Sequence, residues 1–152
     1  MNTAKTDNHL QIAMRSLVIW LALITAEIAH GILRAVVFVP WVGQFRSNQI
    51  GVFTGSVIIF VLVLLTIRWI GAKRPSSLLL VGWVWLVLTV TFEILFGRFA
   101  VGLTWDRIAA DYNLLSGGLM PLGLLVLLFS PVIAAKLRGT GTKRIHSHST
   151  ND

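Results

Sequence analysis

The chain has 152 residues, 55% of them hydrophobic and only 12% charged, with a net charge of +7. A soluble domain carries about a quarter charged residues, so this composition excludes an ordinary water-soluble fold. The absence of cysteine excludes disulfides, thiol catalysis and thiolate metal sites.

Four apolar stretches of roughly 20 residues account for the composition, and each is long enough to cross a hydrocarbon core of about 30 Å. Helices are expected, because backbone groups in lipid must pair within their own segment. A transmembrane β-barrel would alternate apolar and polar residues, whereas the run from Val57 to Leu65 is apolar throughout. The predicted class is therefore all-α: an integral membrane four-helix bundle.

In chain order, residues 1–14 are polar and form the N-terminus, expected to fray. The first helix is predicted over 15–39, stopping near Pro40. A polar turn containing Arg46, Ser47 and Asn48 leads to a second helix over 49–70. Gly71 to Ser77 is a loop, in which Ser76 or Ser77 can cap the next helix. The third helix is predicted over 78–99. A loop with Trp105, Asp106, Arg107 and Asp111 precedes a fourth helix over 113–137, where Pro121 and Pro131 are candidate kinks. The transmembrane domain thus covers 15–137. Residues 138–152 form a basic tail, rich in Thr, Ser and His and expected to be disordered.

Ile24-Thr25-Ala26 resembles a signal-peptide cleavage site, but the apolar run continues to Val42, which favours a retained anchor. Lys and Arg set the orientation. Nine lie on the side of the two termini and the 71–77 loop, and four (Arg34, Arg46, Arg98, Arg107) on the other. Both termini are therefore expected in the cytoplasm of a bacterial-type inner membrane. Trp41, Trp105 and Tyr112 are expected at the outer interface and Trp69 at the inner one. Trp20, Trp83 and Trp85 lie deeper. The basic surplus finds its partner in anionic lipid, so nucleic acid is not needed to explain it.

A weak internal repeat runs through the chain. Glu27-Ile28 followed by Gly31 and Arg34 is echoed by Glu93-Ile94 followed by Gly97 and Arg98. The helix after each begins with small residues: Thr54-Gly55-Ser56, then Ser116-Gly117-Gly118. Two hairpins inserted in the same direction would be parallel repeats about an axis along the membrane normal.

The candidate site is built from the charges inside these helices. Glu27, His30 and Arg34 fall on one stripe of the first helix, with His30 within reach of both neighbours. Each charge at the centre of a span costs roughly 2.5–3.5 kcal/mol on insertion scales, tolerable if the stripe faces the bundle. Glu93 and Arg98 point away from each other on the third helix. Glu93 therefore needs a partner from another helix or is neutral: pseudo-symmetry suggests Arg34 or His30 opposite it, with Arg98 reaching toward Glu27, and Thr89 can donate to Glu93. Thr54, Ser56 and Ser116 would line the space beside them. A carboxyl and an imidazole that exchange protons are what a proton-coupled carrier or relay needs. The competing reading is an ion-pair network that fixes helix register in a non-catalytic subunit.

No cofactor is expected. Bis-histidine haem would need two copies of the chain, since His30 is the one histidine within a span. Zinc would need Glu27, Glu93 and His30 to converge with both arginines turned away. His146 and His148 belong to the tail. Glycines in the stretch from Gly51 to Gly55 read as a helix-packing face. The expected partners are the lipid bilayer and a second copy or another membrane subunit. No nucleotide loop or hydrolase motif marks an enzyme. The layout of four short helices with a glutamate in the first resembles the small multidrug-resistance exporters in architecture. The histidine and arginine beside that glutamate, and the second glutamate in the third helix, depart from that pattern, so no substrate or residue role is carried over.

Overall fold

The computed structural model describes the backbone of residues 3–140 and the side chains of 9–140. Most of the tail expected over 138–152, with His146 and His148, lies outside the described residues. Among the described residues five α-helices form: α1 (Thr3–Val37), α2 (Val39–Ile70), α3 (Pro75–Leu95), α4 (Trp105–Tyr112) and α5 (Met120–Leu137). No strand occurs among the described residues. All but α4 contain a stretch long and apolar enough to cross a membrane, so the chain is a multi-pass membrane protein.

Several boundaries differ from those predicted, each for a local reason. Helix α1 begins at Thr3, so most of the polar N-terminus continues the first span as helix. Helix α2 begins at Val39 with Pro40 in its first turn, and bends at Gly43, whose φ of 78° and ψ of 163° suit a residue without a side chain. Gly71, at φ 78°, ends α2 in the left-handed conformation. Ser76 and Ser77 do not cap α3: Arg74 holds that position, and Pro75 opens the helix. Beyond Leu95 the helix widens into a π-turn, Phe96–Ala100. The predicted fourth helix starts seven residues late. Residues 105–112 instead form α4, capped by Thr104, whose hydroxyl accepts from the Arg107 N–H at 3.3 Å. A 3-10 turn, Leu114–Ser116, follows. Pro121 lies in the first turn of α5 and bends nothing, while Pro131 is inside that helix.

The four spans pack in the order α1–α2–α5–α3, and α1 touches α3 only lightly. Helices α1 and α3 start at the end of the bundle that holds the termini, and α2 and α5 run back toward it. That end is the compact one. Ile19, Leu23, Val63, Ile67, Ile70, Leu78, Val81, Trp85, Leu127 and Ala134 form one buried cluster there. Gly82 meets the Leu128 carbonyl so closely that no side chain fits between α3 and α5. Arg15 seals the same end by donating to the Trp69 carbonyl at 3.0 Å and lying over its ring at 5.4 Å.

Toward the far end the packing loosens. No residue of α1 is buried beyond Ile24, and none of α3 between Trp85 and Gly97. Two hydrogen bonds hold the α1–α3 seam. Trp85 Nε1 donates to the Ser16 carbonyl at 2.9 Å, and Trp20 Nε1 donates to Thr89 Oγ1 at 3.0 Å. Both join residues 69 apart, which fixes a parallel register. In that register Glu93 sits about one helical turn nearer the compact end than Glu27.

Candidate functional site

The stripe of α1 that is apolar and buried at Ile19 and Leu23 continues as Glu27, His30 and Arg34. Helical periodicity makes this inevitable: the three residues sit about one, two and three turns beyond Leu23 along the same face. All three side chains turn toward α2, where two glycines receive them. A β-carbon at Gly55 would lie 2.7 Å from Glu27 Oε2, and one at Gly51 would lie 2.6 Å from Arg34 Cδ. The glycines read from the sequence as a packing face are therefore seats for two charged side chains.

Two polar strings result. In the deeper one, His30 Nδ1 lies 3.5 Å from Glu27 Oε2, and His30 Nε2 lies 2.8 Å from Thr54 Oγ1. Thr54 sits 3.0 Å from the Ile50 carbonyl and can donate there while accepting from the imidazole. Glu27 Oε1 is buried and has no partner among the described residues. In the string nearer the far end, Arg34 donates to Ser47 Oγ at 3.2 Å and to Asn48 Oδ1 at 2.5 Å. Asn48 Oδ1 also accepts from Gln44 Nε2 at 2.9 Å. Ser47 is fully buried by this arrangement.

The second glutamate has a different setting. Glu93 is exposed on α3. It has no basic partner among the described residues. The pairing expected by pseudo-symmetry does not form: Arg34 is held by Asn48 and Ser47, and Arg98 donates to the Leu103 carbonyl at 3.1 Å while lying over the Trp105 ring. Arg98 is drawn there because the π-turn brings the carbonyl of Leu103 back over its own helix. Thr89 accepts from Trp20 instead of serving Glu93. Of the small residues expected to line the site, Thr54 joins it, Ser56 makes no hydrogen bond to it, and Ser116 is exposed in the 3-10 turn.

Sequence reasoning placed Ser47 and Asn48 in a polar turn and so missed them as partners of Arg34, with Gln44 behind Asn48. It also placed Tyr112 at the interface. Its hydroxyl is buried without a partner among the described residues. Burial first, then the nearby charges of Glu93 and Asp111, push its phenol above the ordinary value. No metal-binding group of three or more His, Asp or Glu side chains forms among the described residues.

The arrangement can hold one proton or two. Glu27 and His30 form an acid–base pair within the apolar span of α1, with Thr54 able to serve the outer imidazole nitrogen as donor or acceptor. Compared with known proteins, the chain matches no family model, no curated protein and no solved structure.

Proposed function

We propose that this membrane protein is a small proton-linked carrier or channel, working through the Glu27–His30–Thr54 string. One observation carries the reading. Glu27 offers one carboxylate oxygen to His30 at 3.5 Å, while the other is buried with no partner. A purely structural network would satisfy both oxygens, because an unpaired buried acceptor costs about 1–3 kcal/mol. A carboxyl that must take up and release a proton needs the spare valence. The looser packing of the far half supports access from that side. The distribution of Lys and Arg supports an inner-membrane setting with both termini in the cytoplasm, so that access would be from outside.

A second reading has its own support. Arg34 is engaged by Ser47 and Asn48, which fits structural glue between α1 and α2 in a non-catalytic subunit. In our reading the two strings divide the work: Arg34 fixes the hairpin and Glu27 titrates.

The test uses Glu27→Gln and Glu93→Gln, each scored for folded yield in detergent and for proton flux into liposomes holding a pH-sensitive dye. We expect Glu27→Gln to keep its yield and lose the flux. A collapse in yield would assign the glutamates to architecture and favour the subunit reading.

A further inference from the structure

We propose that Arg34 and Asn48 form a binding site for a small carboxylate anion, the solute that travels with the proton. The inference rests on the proton-linked reading above and names its substrate class.

The hydrogen bonds come first. Both bonds that hold Arg34 leave from one nitrogen: Nη1 donates to Ser47 Oγ and to Asn48 Oδ1. Nε and Nη2 make no hydrogen bond among the described residues. Their N–H groups lie side by side on the other edge of the guanidinium, a fork that matches the two oxygens of a carboxylate. Asn48 adds a further donor. Its Oδ1 is taken by Arg34 and by Gln44 Nε2, while its Nδ2 donates to nothing among the described residues. The buried side-chain atoms left without a partner are Glu27 Oε1 and the Tyr112 hydroxyl. None of these three donors is among them, so each reaches accessible space. The stem of Arg34 is seated against Gly51 of α2, which sets the fork in place before a ligand arrives.

Charge points the same way. The ion pairs among the described residues join His30 to Glu27 and Arg107 to Asp111, so no carboxylate answers Arg34. The acceptor left in the cluster is Gln44 Oε1, on an exposed side chain. Donors thus outnumber acceptors around a fixed positive charge, and a ligand that brings two negative oxygens completes the set. Arg34 is four residues beyond His30 on one stripe of α1, so the anion would stand about one turn outward of the Glu27–His30 pair. A carboxylate and a proton loaded together add no net charge, which lowers the cost of carrying either through an apolar span.

The test is thermal unfolding of the full chain in detergent at about pH 7.5, where acetate is ionised. Sodium acetate is titrated against sodium chloride at equal ionic strength. We expect acetate to raise the unfolding temperature saturably and chloride to leave it unchanged. Arg34→Lys keeps the charge without the fork and should weaken acetate binding at least about tenfold. Asn48→Asp decides the matter even if Arg34→Lys fails to fold. It keeps the acceptor that Arg34 and Gln44 use, removes the Nδ2 donor and sets a permanent carboxylate against the guanidinium. It should fold at least as well as the wild type and lose the acetate response. A wild type that does not distinguish acetate from chloride, or an Asn48→Asp variant that keeps the full response, overturns the site. Acetate binding without proton flux in liposomes keeps the site and removes the carrier. Proton flux without acetate binding overturns the site and spares the carrier.

Discussion

Gly55 of α2 lies directly beneath the Glu27 carboxylate of α1, with room for a hydrogen and not for a methyl group. The atom in the way is the end of a flexible side chain, so Gly55→Ala should displace Glu27 from His30 without unfolding the hairpin. The expected stability loss is under about 1 kcal/mol, since the displaced end can rotate and alanine favours the helix. Proton flux should fall as far as it does in Glu27→Gln. Thermal unfolding in detergent and flux in liposomes, measured side by side, check the split.

Gly82→Ala should behave in the opposite way. The added methyl would meet the Leu128 carbonyl, and a packed backbone cannot rotate aside. We expect a loss of about 1–3 kcal/mol or more from overpacking, seen as a lower unfolding temperature and poor yield.

Trp85→Phe keeps most of the buried apolar area at the compact end but removes the bond to Ser16. A cost of about 1–2 kcal/mol is expected from the lost bond and the small void. Trp20→Phe should cost less, about 0.6 kcal/mol, the average for hydrogen bonds between membrane helices. Denaturation in mixed micelles would rank the two.

Tyr112 is the single tyrosine, so the phenolate absorbance of the intact protein reports it alone. Its ionisation should occur above the ordinary value of about 10, because burial and the charges of Glu93 and Asp111 oppose it. The folded value is raised, so this group's contribution to stability is complete below the unfolded value. That contribution is lost as pH climbs through the interval up to the folded one. Asp111→Asn should move the midpoint back toward the ordinary value.

The four spans were legible because hydropathy over twenty residues is a strong, local signal. The inward direction of Glu27, His30 and Arg34 was legible for the same kind of reason: all three share a stripe with apolar residues that must be buried. What lay beyond reach was the pairing between helices. Whether Arg34 meets Glu93 or Asn48 depends on α2 starting as early as Val39, and Pro40, which reads as the stop of the first helix, opens the second. Helix α4 was hidden because its polar residues resemble a loop. The burial of the Tyr112 hydroxyl follows from α4 and was lost with it.

The spans are unequal, and this bears on the bilayer itself. Helix α5, at 18 residues, is about 27 Å long, somewhat less than an average hydrocarbon thickness. Helix α2, at 32 residues, far exceeds it. Lipid beside α5 must therefore thin or flanking side chains must reach outward, while α2 tilts and bends. The protein should sit with least strain among short acyl chains, and membranes thickened by long or saturated ones should squeeze it from one flank.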